Sequence, residues 1–550
     1  MRKLFAVVLI AFTASANEIS YRSLQSGSQF GGTPLFDHGI HGEGQILAVL
    51  DTGVDYSSCY FAEENGALPP INTGSSAGLG WTNVDPSRRK IIAYDFVYSC
   101  DQFPTATYCD DPAAGLNAYD NQGHGTHAAA SAVGDSGTYV AHDYADAIAP
   151  AAKLIVQDAG LSPDDNCTSR PGIGCPVTMT PLLDQAYKQG ARIHSNSWGD
   201  HQGIPAYLPS PTANYTQAAH DIDAFVSTHP DLLVVFNTGN YGSTSTPPAS
   251  SLSAPGCAKN TIQVGGTRTP YGNDDYLAQF TLLGPSRDGR IKPDLVAPAY
   301  VLAGDAHAVT KTACDATRQV GTSWSSPTIA GAALLVRQYF TDGFYPTGVV
   351  TPANAFTPSA ALLKATLIAA AHRVPYKYNP QGNIVATDPV PSYEQGFGFP
   401  MLDDALFFPG DTSKLRVSDV TPGLAAGELS STTITAAPGT PLKIVLVWTD
   451  PAGTPRNDAT PQLVNDLDLR VTTPGGATMF GNERLHPGQA DRLNNVEVIA
   501  VDTPESGKYT IDVNASRIGL GPRQAYALVI TGEVRVNSVA SSSRRRAVHH

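Results

Sequence analysis

Five consecutive apolar residues, 46–50 (ILAVL), run without a break into Asp51-Thr52-Gly53. A short continuous apolar run suits a strand buried on both faces of a parallel sheet. Open α/β sheets place their sites at the carboxyl ends of such strands. Asp51 is therefore predicted to stand at the rim of a helix-covered sheet. The pattern recurs at residues 232–236 (LLVVF), which end in Asn237-Thr238-Gly239-Asn240. Residues 153–157 and 193–197 read as further strands, and 182–189 and 217–228 as helices. Such alternation signals a mostly parallel α/β sheet flanked by helices. Residues 359–373, opened by a serine cap and followed by Pro375, are predicted to be helical. The Pro-, Gly- and Asn-rich stretch 375–409 is predicted to be loops closing the unit.

Two more blocks carry chemistry. Gly123-His124-Gly125-Thr126-His127 precedes the small-residue run AAASAVG, which predicts a closely packed helix with His124 in its first turn. The helix dipole there disfavours the imidazolium, so a carboxylate such as Asp51 would be needed to stabilise it. Gly321-Thr322-Ser323-Trp324-Ser325-Ser326-Pro327 leads into TIAGAALLVRQYF. Proline is tolerated in a first helical turn, so Ser323 is placed at a helix N-terminus, where backbone N–H groups can meet developing negative charge. Taken singly, the histidine would be structural, the serine an N-cap and Asn240 a turn residue. Together they supply the carboxylate, imidazole, hydroxyl and amide of a nucleophilic relay, in the chain order Asp, His, Ser.

With their flanking motifs, Asp51, His124, Asn240 and Ser323 resemble the subtilisin-like serine proteases from about residue 30 to about residue 405. The resemblance includes Ser195-Asn196-Ser197-Trp198-Gly199. The related sedolisins use Glu for the His and Asp for the Asn, so His124 and Asn240 favour the subtilisin branch. The resemblance implies a serine endopeptidase in which Ser323 attacks the scissile carbonyl and His124 relays the proton. Asp51 would orient the imidazole, and Asn240 with the Ser323 N–H would bind the oxyanion. Ser197-Trp198-Gly199 and Asn237-Thr238-Gly239 would wall the cleft for the residue before the scissile bond, pairing an extended peptide. Trp198 would favour a large apolar residue there, and Asp200 a basic one if it faces the pocket. No cofactor is required for this chemistry. Trp324 departs from the family, which commonly has Met after the nucleophile.

A length of 550 residues predicts at least two domains. From about Ser413 helical periodicity gives way to short Val-, Ile- and Thr-rich runs between Gly and Pro turns, the pattern of an antiparallel sandwich or jelly roll. VNDLDLRVTTPGG and the passage from Asp491 resemble the β-sandwich appended to some secreted subtilases, which tends to stabilise the catalytic part and to bind Ca²⁺. Asp466 and Asp468 share a strand face, near Asp450 and Asp458, and are the expected ligands of such a structural Ca²⁺.

Arg2-Lys3, the apolar run 4–12 and Ala14-Ser15-Ala16 read as a secretory signal peptide. The expected organisation is thus signal peptide 1–16, N-terminal segment 17–30, catalytic domain 31–410, β-sandwich 411–535 and disordered tail 536–550. Residues 17–50 fall below the roughly 40 that fold unaided, too few for the prodomain that subtilases usually carry. Folding without one, a short inhibitory segment and an incomplete start are the alternatives, and the signal peptide argues against the last. The product is expected outside the cytoplasm, extracellular or periplasmic, as a monomer acting on proteins or peptides. A net charge of −14 argues against nucleic acid or an anionic membrane as partner. Seven cysteines in an exported chain imply disulfides with one thiol left over. Connectivity is not readable from sequence; the expected pairing is Cys100–Cys109, Cys167–Cys175 and Cys257–Cys314, leaving Cys59 free.

Overall fold

The computed structural model describes residues 16–28, 30–73, 82–97, 120, 123–137, 145–161, 172–173, 178–199, 213–241, 247–268, 276–306, 314–379 and 381–540. The signal-peptide run and the cysteines at 100, 109, 167 and 175 lie outside these residues, as does Asp200.

An eleven-stranded sheet forms the first half. In chain order its strands are β1 (Ile46–Asp51), β2 (Ile71–Thr73), β3 (Ile91–Phe96), β4 (Lys153–Asp158), β5 (Ile193–Asn196), β6 (Leu233–Asn237), β7 (Ile262–Arg268), β8 (Tyr276–Leu277) and β9 (Leu295–Pro298). Beyond the hairpin of β10 (Tyr300–Gly304) and β11 (Ala316–Val320), β12 (Tyr376–Tyr378) and β13 (Ile384–Ala386) complete it. The order across the sheet is β13-β12-β8-β7-β6-β5-β1-β4-β3-β2, with β9 branching from β7. β1 pairs in parallel with β4 and β5, and β5, β6 and β7 continue in parallel. Leu47 to Asp51 are all buried, as a strand covered on both faces requires.

The stretch 375–409 is not all loop. Tyr276, Tyr376 and Tyr378 gather with ring centroids 5.5 Å apart, and these aromatic contacts hold a short hairpin against the sheet edge.

The longer helices are α1 (Ala16–Ser26), α2 (His124–Val133), α3 (Met179–Lys188), α4 (Gln217–Thr228), α5 (Thr322–Thr341) and α6 (Ala360–Ala369). α2 and α5 cross closely, and small residues are the reason. A Cβ on Gly331 would lie 2.7 Å from the Ile148 Cβ and 3.0 Å from the Ala132 carbonyl oxygen. Tyr21 and Leu24 of α1 are buried in the same core, so the segment after the signal-like run is part of the fold.

The strands from Lys414 onward build two antiparallel sheets, as the change in texture predicts. One joins β14 (Lys414–Leu424), β16 (Leu442–Val447), β19 (Val496–Val501) and β21 (Gln524–Gly532). The other joins β15 (Leu429–Ala436), β17 (Asn465–Thr472), β18 (Thr478–Phe480), β20 (Gly507–Ile518) and β22 (Val534–Ala540). Trp448, Leu467, Ile511 and Tyr509 lie in the core between them. On the opposite face Val445, Val447, Ala527 and Val529 join the α6 residues in the main core. The tail expected to be disordered from Val536 instead continues as β22 to Ala540, paired antiparallel with β15 in a register that sets residue 534 opposite Ala436 and residue 536 opposite Ile434.

The expected Cys257–Cys314 pair is also replaced. Cys314, at the β10–β11 connection, is bonded to Cys59 in the segment after β1, with Cα atoms 5.2 Å apart. Among the described residues Cys257 is a buried free thiol, and burial pushes its pKa up to about 12.

Candidate active site

The rim at the carboxyl ends of β1 and β6 collects the residues singled out above. Asp51 closes β1 and is 1 % exposed. Its Oδ1 accepts from the Thr52 amide at 2.8 Å and faces His124 Nδ1 at 2.7 Å. This contact brings α2 against the β1 turn, which demands the glycines of the histidine block. A Cβ on Gly125 would lie 2.1 Å from the Gly53 carbonyl oxygen and 3.1 Å from the Asp51 Cβ. Gly123, ahead of His124, has φ +73°, a conformation glycine adopts without strain.

The His124 imidazole is 30 % exposed on one edge and held on the other. Burial lowers its pKa, but the Asp51 charge and hydrogen bond, with a smaller push from Asp120, leave it raised. His127, one turn on, is pushed down to about 3 by burial and by His124, and is therefore neutral.

Ser323 is the second residue of α5 and 7 % exposed. Asn240, just after β6, accepts from the Thr322 amide at 2.8 Å and from its hydroxyl at 3.0 Å, both on Oδ1. These two bonds fix the amide flip and leave Nδ2 free to donate beside the amide end of α5. Among the described residues Ser323 Oγ makes no hydrogen bond to the imidazole. The serine and histidine segments touch instead through Trp324, whose ring centroid is 4.8 Å from that of His124. Catalytic hydrogen bonds are often loose before substrate arrives.

The predicted cleft walls lie next to each other because β5 and β6 are parallel neighbours, with Asn196 opposite Phe236. Ser197 Oγ donates to the Ser323 carbonyl at 2.7 Å. Asn237 Nδ2 reaches the Ser197 carbonyl at 3.5 Å, and Trp198 meets Phe236 edge-on at 5.3 Å. The Thr238 carbonyl accepts from the Ser253 amide, and a Cβ on Gly199 would lie 2.7 Å from Ser253 Oγ. Thus Ser197 and Asn237 meet beside the Ser323 carbonyl, while Thr238 and Gly199 both pack on Ser253; Ser197, Asn237, Thr238 and Gly239 are buried, and Trp198 and Gly199 are half-buried.

One neighbour of the Asp51–His124 pair escaped the sequence reading. Asp120 is fully buried and tied to both arms of the Asp51–His124 pair through Thr52 and α2. Its signal was only an Asp shortly before a helix start, where the first amides lack partners within the helix.

Asp466 and Asp468 share a strand face but do not fit a cation site. Arg492 Nη1 donates to Asp466 at 2.9 Å and to Asp468 at 2.5 Å, so a guanidinium supplies the positive charge expected of Ca²⁺. Asp450, expected nearby, is taken by Lys259, and Asp458 accepts from the Thr460 amide. Among the described residues no cluster of three or more His, Cys, Asp or Glu is arranged to hold a metal ion. Nor is any described helix long and apolar enough to cross a membrane.

Comparison with known proteins places these features in context. The subtilase family pattern matches residues 42–398. The chain is similar to two Dictyostelium discoideum proteins described as serine protease/ABC transporter B family proteins, tagA and tagD. Identity to tagA is 26 % across 95 % of this chain and 32 % of tagA. Identity to tagD is 25 % across 90 % of this chain and 32 % of tagD. The chain thus spans about a third of the length of these curated relatives. Among solved structures, a serine protease of Aeromonas sobria aligns over 94 % of this chain and 96 % of its own, at 13 % identity and a TM-score of 0.43.

Proposed function

The chain belongs to the subtilase family, and from that premise we propose that it is a serine endopeptidase working through Asp51, His124 and Ser323. The observation that carries the reading is the 2.7 Å contact between His124 Nδ1 and Asp51 Oδ1. It fixes the tautomer that leaves Nε2 to take a proton. Ser323 Oγ attacks the scissile carbonyl as His124 removes its proton. The tetrahedral oxyanion is met by Asn240 Nδ2 and the Ser323 N–H, and His124 then protonates the leaving amine. Asp51 keeps its hydrogen bond to Nδ1 and stabilises the imidazolium. Water repeats the sequence on the acyl-enzyme.

An extended substrate chain lies between Ser197–Gly199 and Asn237–Gly239, adding main-chain hydrogen bonds. The substrates are proteins or peptides, and the edge-on Trp198–Phe236 pair favours a large apolar residue before the scissile bond. Action in an oxidising compartment is supported by the Cys59–Cys314 disulfide, a bond that reducing cytosol does not sustain.

Fluorophosphonate labelling combined with casein hydrolysis, in wild type and Ser323→Ala, tests the reading. Labelling and hydrolysis that both vanish in the variant are expected. Hydrolysis that persists in Ser323→Ala overturns it.

A further inference from the structure

Asp120 stands behind the proposed relay and joins its two halves. Its Oδ1 accepts the Thr52 hydroxyl at 2.7 Å and the Gly123 amide at 3.0 Å, and its Oδ2 accepts the Thr126 amide at 2.7 Å. Thr52 in turn accepts the Gly125 amide on Oγ1 at 2.9 Å, while its own amide donates to Asp51. Three amides at the start of α2 and the residue next to Asp51 are therefore gathered onto one carboxylate and one hydroxyl. The carboxylate is wholly buried and shielded from solvent. A negative charge there favours the protonated imidazole of His124, adding to Asp51.

We propose that Asp120 is the positioning residue of the Asp51–His124 pair, holding α2 to the β1 turn through Thr52 and raising the basicity of His124 by its charge. The proposal rests on the triad reading and deepens it. Among the described residues, the other ionisable groups acting on the imidazole are Asp51 at the end of β1 and neutral His127 in α2. Asp305, beyond β10, lies beside Gly123: a Cβ there would be 4.0 Å from its Oδ1. Burial raises the Asp120 carboxyl to about 6, with the Thr126 and Thr52 hydrogen bonds opposing. Asp120 is then largely ionised at neutral pH, where His124 must act as a base.

The test is the rate of Ser323 phosphonylation by a fluorophosphonate between pH 5 and 9, in wild type, Asp120→Asn and Thr52→Val. This readout needs no knowledge of the natural substrate. Asp120→Asn removes the charge, so the acid limb should move to lower pH by about half a unit or more, with a plateau rate about tenfold lower. Thr52→Val keeps the charge and cuts the link; its plateau should fall while the limb stays in place. An Asp120→Asn limb that coincides with the wild-type limb overturns the proposal, whatever happens to the plateau. Should Asp120→Asn fail to fold, Thr52→Val decides alone: a wild-type plateau overturns the link. Wild-type protein that is never labelled would bring down the triad reading together with this one.

Discussion

Trp324 lies between two imidazoles, its ring 4.8 Å from His124 and 4.3 Å, edge-on, from His127. It is 3 % exposed. The residue after Ser323 thus forms the wall between His124 and the core, and its identity bears on oxidation.

A methionine in that place can be oxidised to a polar, bulkier sulfoxide beside the nucleophile. The indole of Trp324 is shielded and lacks a thioether. Wild type is expected to keep most of its activity in mild peroxide, and Trp324→Met to lose most of its own under the same exposure. Equal decay of the two proteins, followed by residual casein hydrolysis, would show that this position does not govern peroxide sensitivity.

Asn240 is held by its carbonyl oxygen, with Thr322 supplying both donors. Asn240→Ala removes the outward amide and is expected to lower kcat by about 10²–10³, the loss seen when subtilisin itself is deprived of its oxyanion donor. KM should change little, since the amide binds charge that develops only in the transition state. Steady-state kinetics on one peptide substrate separate the two constants. A change confined to KM would place Asn240 in ground-state binding.

How much of this was legible in the sequence depends on the range of the interaction. Asp51 and Asn240 were readable because a buried strand and its turn are local events, written in the ILAVL and LLVVF runs. The adjacency of Ser197 and Asn237 was implied by parallel strand order, and it appears as Asn196 opposite Phe236. Disulfide pairing was not legible, because Cys59 and Cys314 are 255 residues apart and only the approach of the β10–β11 hairpin to the β1 loop brings them together. Alternation put Asp466 and Asp468 on one face, but it carried no trace of Arg492, which arrives from a distant loop. The tail misled for a related reason: β22 is specified by its partner β15 rather than by its own pattern.

Asp95 in β3 is fully buried. Its Oδ1 accepts from Asn72 at 2.7 Å and Gln189 at 3.0 Å. Burial pushes this carboxyl up to about 7, the hydrogen bonds opposing. An unfolded aspartate titrates near 3.9, so the folded state binds the proton more tightly. Below about pH 4 both states are protonated and nothing is lost. As pH rises to 7 the cost of ionising Asp95 in the folded protein grows, to at most about 4 kcal/mol. Asp95→Asn carries no charge, so it should stabilise the protein at pH 8 and have little effect at pH 4. Denaturant midpoints at the two pH values check this. A gain of the same size at both would assign the effect to packing.

The β-sandwich is fastened to the sheet by a buried ion pair. Lys259, before β7, donates to Asp450, after β16, and to the Gln462 carbonyl at 2.9 Å; both charged side chains are 0 % exposed. The same carboxylate accepts the Val464 amide at 3.0 Å and the Asn465 amide at 2.7 Å. Asp450→Ala leaves an ammonium buried against carbonyl oxygens alone, with two amides unpaired. Removing one partner of a buried pair costs about 3–5 kcal/mol, whereas replacing both by apolar groups is often close to neutral. Lys259→Met combined with Asp450→Leu should therefore recover much of the stability that Asp450→Ala loses. Some loss should remain, because the Val464 and Asn465 amides still lack an acceptor, worth about 1–3 kcal/mol each. Thermal melts of the three variants measure the difference. A double variant no more stable than Asp450→Ala would mean that the amides, rather than the charge, hold the seam.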